Sequence, residues 1–247
     1  MVLPTVPGSS LSVSQILTEF GIAASTISRI SNDLFPLVDG TAGTTCLLGA
    51  SFSNKAAGSP RAYSYLQGTG TDQGLAIAVD SAGNIYITGQ YVSTTTVAIR
   101  TMGLTPALSG SSLPISVFTD MFVMKWNSFG KLVSYSYLPG TGTDTGNAIA
   151  VDSAQNVYIT GSYVSTTTVA IRTMGLTPAL SGSSLPISVG TDMFVIKWNS
   201  SGTLVSYSYL QGTGTDQGNA IAVDSAGNIY ITGQYVSTTT VPILTMA

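Results

Sequence analysis

The segment Ala76–Gly89 reads AIAVDSAGNIYITG; it returns as AIAVDSAQNVYITG at Ala148–Gly161 and as AIAVDSAGNIYITG at Ala220–Gly233. Tyr65, Tyr137 and Tyr209 keep the same spacing, as do Asp80, Asp152 and Asp224, so the period is 72 residues. Such a period constrains the chain more than any other feature. Each unit is one supersecondary element that cannot bury its apolar face alone and must stack on its neighbours. Residues 63–134 and 135–206 are complete β-repeats, and 207–247 is a partial third. Upstream, LLGASFSNKAAGSPRAYSYL (47–66) aligns weakly with residues 119–138 and keeps Gly58 opposite Gly130, so 45–62 reads as a degenerate half-repeat. Half, two and half make about three units.

Within a unit the signals are those of strands. Leu75, Ile77 and Val79 alternate with Ala76, Ala78 and Asp80, the period of a half-buried strand, and Ile85 and Ile87 alternate with Tyr86 and Thr88. Between them DSAGN predicts a hairpin turn, with Asp80 folding onto nearby amides and Gly83 taking a positive φ. Gln155 stands at the Gly83 position of the second unit, where the turn must either tolerate it or carry strain. VSTTTVAIR is β-branched and strand-like, GLTPALSGSSLP reads as a loop, and DMFVMKWN and KLVSYSYL form a strand pair around NSFG.

Composition narrows the function. Only 8% of residues are charged, against about 25% in an ordinary soluble domain. A surface of Gly, Ser and Thr repels its neighbours weakly, which suits a protein built into an assembly or exposed outside a cell. A net charge of −3 with no basic cluster argues against nucleic acid. The chain has no His and a single cysteine, Cys46, which removes Ser-His-Asp, Cys-His and zinc hydrolase chemistry and any internal disulfide. Cys46 reads as a small buried hydrophobe. MVLPTVPGSS lacks the basic start and apolar run of a signal peptide, and no stretch is apolar for long enough to span a bilayer. No catalytic, cofactor-binding or metal-binding residue is assigned, and no cofactor is expected.

Several tempting motifs have plainer readings. GTGTDQG (68–74) resembles a phosphate-cradling loop but precedes a strand, so it is read as a loop between sheets. Asp72, Asp80, Asp144, Asp152, Asp216 and Asp224 each stand apart in sequence, which favours turn caps over calcium ligands. Trp126, Trp198 and the YSY tyrosines are read as core rather than sugar platforms. Asp120 with Lys125, and Asp192 with Lys197, are read as local pairs.

The first residues differ in kind. Ser12 and Gln15 form a capping box for a short helix, Val13–Phe20, ended by Gly21; Ser25 caps a second that Pro36 stops. Ile16, Leu17, Phe20, Ile27, Ile30 and Leu34 give these helices apolar faces that must be buried against something, so 1–44 is read as an N-terminal assembly anchor.

The combination of YSYLQGTGTDQG, AIAVDSAGNIYITGQY, a Thr/Pro/Ser loop and TDMFVMKWNSFGKLV resembles the SBBP-type β-propeller repeat over residues 63–247. That resemblance implies a mainly β fold of tandem antiparallel four-stranded blades, about three in number, open or completed by other chains. It implies no function, since propellers host binding, scaffolding and catalysis alike. LSVSQILTEFG resembles an opening common near the N-termini of structural proteins of tailed phages and large DNA viruses. Together these point to a non-enzymatic virion protein of a tail, fibre or capsid decoration. Its expected partners are other virion structural proteins and copies of itself, with a host-surface glycan or receptor as a further candidate. The alternative is a secreted or surface-attached bacterial propeller used for adhesion. A glycan-acting enzyme would need paired carboxylates facing one cleft, and ranks last.

Overall fold

The computed structural model describes residues 63–103 and 105–236, together with the backbone of Thr44–Leu47 and Ile243–Met246. All of these belong to one of the chain's two compact units. The expected helices, and with them Ile16, Leu17, Phe20, Ile27, Ile30 and Leu34, lie outside the described residues.

The regular elements among the described residues are all strands. β1 (Thr44–Leu47) and β2 (Ser64–Gln67) come first. The first complete unit then supplies β3 (Asp72–Val79), β4 (Ile85–Ser93), β5 (Val97–Arg100), β6 (Leu108–Leu113), β7 (Ser116–Trp126) and β8 (Leu132–Leu138). The second repeats them as β9 (Thr145–Val151), β10 (Val157–Tyr163), β11 (Val169–Arg172), β12 (Leu180–Leu185), β13 (Asp192–Trp198) and β14 (Leu204–Leu210). β15 (Gln217–Val223), β16 (Ile229–Gln234) and β17 (Ile243–Met246) follow.

Two antiparallel sheets are complete: β3-β4-β7-β8, and β9-β10-β13-β14 with β17 added beyond β14. Their registers repeat, Ile87 opposite Met124 in the first and Ile159 opposite Ile196 in the second. β15 and β16 pair alone and correspond to the first two strands of a sheet. β1 and β2 correspond to the last two. Cys46 stands opposite Tyr65 as Phe122 stands opposite Tyr137, so β1 occupies the third-strand position. Sequence alignment put Ala50 there; the pairing sets the strand four residues earlier and lengthens the connection before β2.

The AVDSAGN hairpin forms as its residues dictate. Gly83 and Gly227 take φ of 78° and 84°, and Gln155 adopts φ 62° at the same position, the one non-glycine with positive φ among the described residues. The turn therefore carries the Gln with strain. LSGSSLP, in contrast, is not a loop. Leu108–Leu113 and Leu180–Leu185 pair with β5 and β11. Their ladders are bulged, and Ser109 Oγ donates to Ile99 O at 2.7 Å, so a hydroxyl replaces a backbone bond where composition suggests no strand. Only Leu113 and Leu185 of these strands bury a large side chain.

Successive sheets stack, β3 lying against β9 and β9 against β15. Tyr86, Met121, Val123 and Leu138 of the first sheet share one core cluster with Ile149, Ile159, Phe194 and Ile196 of the second. Trp126 and Trp198 are core residues, as their strand setting predicts, and their Nε1 atoms donate to Arg100 O (3.2 Å) and Arg172 O (2.8 Å). Burying each such ring stabilises by a few kcal/mol, at ~25 cal/mol per Å².

Candidate functional site

The repeated aspartates divide into two sets. Asp152 Oδ1 accepts from the amides of Ala154 (2.9 Å) and Asn156 (2.8 Å), while Oδ2 accepts from Asn156 Nδ2 and Tyr158 Oη. Asp80 and Asp224 make the same bonds. These are turn caps. Burial pushes the Asp80 and Asp152 carboxyls up, but the bonds from the Asn, Tyr and Ala donors outweigh it and hold them below the ordinary carboxylate range.

Asp72, Asp144 and Asp216 are not turn caps. They are fully buried, and Asp144 and Asp216 bind backbone amides twenty residues on, just past β10 and β16: Asp144 Oδ1 accepts from Val164 N (3.1 Å) and Asp216 Oδ1 from Val236 N (3.0 Å). The GTGTD loop is shaped around this. A Cβ on Gly140 would lie 2.1 Å from Asp144 Oδ2, and one on Gly142 would lie 2.4 Å from Val164 O. Its glycines serve close approach within the protein. Asp120 and Asp192 join the same layer, accepting from Gly140 N (3.2 Å) and Gly212 N (2.9 Å). They do not pair with Lys125 and Lys197. Five residues apart on a strand, the two side chains leave opposite faces, and each lysine instead lies over a tyrosine ring, Lys125 over Tyr86 at 5.1 Å and Lys197 over Tyr158 at 5.0 Å.

Burial raises the Asp72 carboxyl to about 7 against the opposing Gly68 amide, and Asp144 to about 8, the Asp120 charge adding to the rise. Asp120 and Asp192 rise to about 6 for the same first reason. Sequence spacing gave no sign of this layer, because its members meet only when strands twenty or more residues apart pair. Among the described residues no group of three or more His, Cys, Asp or Glu side chains could hold a metal ion.

The surface with unused capacity lies at the end of the stack. Beyond β16 a concavity of about 550 Å³ opens over the outer half of the second sheet, lined in part by Met193, Val195, Lys197, Tyr207, Ile229 and Ile231. Met193 and Lys197 are half-buried here, where their counterparts one period earlier, Met121 and Lys125, are buried, while Val195 and Tyr207 are buried as Val123 and Tyr135 are. At the other end Leu75, Ile77 and Val79 of β3 are exposed. Ile77 is 49% exposed where Ile149, its counterpart between two sheets, is 8% exposed.

The repeat described as SBBP, a beta-propeller repeat, matches residues 64–90, 135–162 and 207–234. Each match runs from a YSYL strand through the GTGT loop and the following hairpin, so it takes in the last strand of one four-stranded sheet, or blade, and the first two strands of the next. Over 176 residues the chain is 26% identical to an uncharacterized WD repeat-containing protein of Acanthamoeba polyphaga mimivirus. That alignment covers 66% of this chain and 12% of the viral protein, so the chain spans a small part of its relative.

Proposed function

We propose that this chain is a non-enzymatic structural protein of a virion, in a tail, fibre or capsid decoration. Residues 1–44 would act as its assembly anchor and the β-propeller repeats as the module carried. The observation that carries the reading is the similarity to a large-virus repeat protein across two-thirds of the chain. The resemblance of LSVSQILTEFG to virion protein openings supports it, as does a surface with few charges. The absence of His and the burial of the clustered carboxylates support a non-catalytic role.

The test is proteomics of density-purified particles from the source of the sequence, with immunogold labelling against the repeats. Stoichiometric recovery in particles, with label on their surface, is expected. Recovery only from cell surfaces or medium overturns the reading in favour of adhesion. Deleting residues 1–40 should leave a folded β module that no longer joins the particle; normal incorporation would overturn the anchor.

A further inference from the structure

The hairpin that joins β13 to β14 differs from its counterpart one period earlier in its third residue. Residues 127–130 read NSFG between β7 and β8, and residues 199–202 read NSSG. Ser201 in place of Phe129 gives Asn199 a hydroxyl two residues on. Asn-x-Ser, with any residue but proline between, is the acceptor pattern for attaching sugar to an asparagine side chain. Of the nine asparagines in the chain, Asn199 alone heads this pattern. We infer that Asn199 is a glycosylation site, its Nδ2 taking a sugar from a glycosyl diphosphate donor held by a transferase.

Three features of the turn make this side chain available. The first is the direction of its amide. Asn199 Oδ1 accepts from Ser201 N (3.1 Å), Ser201 Oγ (2.7 Å) and Thr203 N (2.9 Å). An atom facing three donors is the oxygen, and Nδ2 makes no hydrogen bond to the described residues and reaches solvent. Asn84, Asn147, Asn156 and Asn228 instead donate their Nδ2 inside the fold.

The second feature is the hydroxyl. It donates to the acceptor amide itself, which draws electron density from the nitrogen and makes its protons easier to remove. The turn does not need it. Asn127 Oδ1 caps the earlier hairpin with the amides of Phe129 (3.1 Å) and Lys131 (3.0 Å) alone, and Phe129 is 91% exposed. The third feature is room. Ser200, Ser201 and Thr203 are exposed, and the turn is closed by its own backbone, Asn199 N donating to Thr203 O (2.9 Å) and Gly202 N to Asn199 O (2.8 Å). A sugar on Nδ2 therefore displaces no packed side chain.

The transfer balances without an oxidant or reductant. Nδ2 attacks the anomeric carbon of the sugar, and the N–C bond forms as the bond from that carbon to the diphosphate oxygen breaks. The diphosphate leaves with the electron pair, and one of the two Nδ2 protons passes to a base of the transferase. The site stands whether or not the chain belongs to a virion.

The test is mass spectrometry of the chain isolated from its source. The peptide that contains Asn199 should be heavier than its sequence by one glycan, and fragmentation should place that mass on the asparagine. A single sugar there marks a nucleotide-linked donor, and an oligosaccharide a lipid-linked one. An unmodified Asn199 overturns the inference. Made in the same source, Ser201→Ala keeps Asn199 and both amide bonds to its Oδ1, and should lose the whole added mass; Ser201→Thr should retain it. Phe129→Ser changes a residue that is already exposed, and should place the same glycan on Asn127. Added mass that survives Ser201→Ala, or an Asn127 that stays bare in Phe129→Ser, overturns recognition through the hydroxyl.

Discussion

Tyr158 and Tyr230 occupy one position of the repeat, and each hydroxyl donates to the aspartate of its own hairpin, at 2.8 Å to Asp152 and 3.0 Å to Asp224. Yet Tyr158 is buried and Tyr230 is largely exposed. The same local chemistry is therefore held in two environments. Asp152→Ala removes the acceptor of two amides, an Asn side chain and a hydroxyl beneath a neighbouring blade, and should cost about 2 kcal/mol in urea unfolding. Asp224→Ala breaks the same bonds where water can replace them and should cost clearly less. Equal losses would show that packing on the hairpin does not matter.

The turn of the second unit offers a stabilising change. Gln155 holds φ 62° where Gly83 and Gly227 stand in the other units. A side chain in the left-handed region costs about 1 kcal/mol relative to glycine. Gln155→Gly should therefore raise the melting temperature by a few degrees, and Gly83→Gln should lower it. A fall on Gln155→Gly would mean that the side chain contributes more than the backbone loses.

Much of this architecture was legible in the chain itself. The 72-residue register located both complete sheets, and the alternation around Asp80 gave the hairpin down to its turn. Period-2 alternation is a property of one strand, however, and stacking is a property of two sheets. Nothing in the identical words around Ile77 and Ile149 could tell which would be covered. The strands at Leu108 and Leu180 escaped because Ser hydroxyls stand in for ladder bonds. The Asp72 set looked like turn caps because its partners lie on distant strands.

Gly161 marks a limit on how closely the first two strands of a blade approach. A Cβ there would lie 1.8 Å from Thr145 O, at the point where the β9–β10 register shifts. Backbone cannot yield as a side chain does, so Gly161→Ala should destabilise by about 3 kcal/mol. Gly175→Ala is the control, since the nearest atom to its Cβ would be Thr177 N at 3.8 Å. Chemical denaturation of the two variants should separate them. Similar midpoints would show that the blade can open at Gly161 without penalty.

The buried carboxyls set the pH dependence. Asp72, Asp144, Asp120 and Asp192 all have folded values above the unfolded 3.8, reaching about 7, about 8, about 6 and about 6. Between pH 4 and pH 8 the folded chain therefore holds more protons than the unfolded one, and stability falls as pH rises. Their contribution is complete below the unfolded value and lost as pH passes through the folded ones. Asp80 and Asp152 are shifted down, so their contribution is present above 3.8 and lost as pH falls through their folded values. They leave the higher window untouched. The melting temperature should accordingly be several degrees higher at pH 5 than at pH 8. Asp144→Asn keeps an acceptor for the Val164 amide and removes the titration, so it should flatten that slope while preserving the acid-side fall. A wild-type curve that is level or rising between pH 5 and pH 8 would show that these carboxyls are ionised in the folded protein.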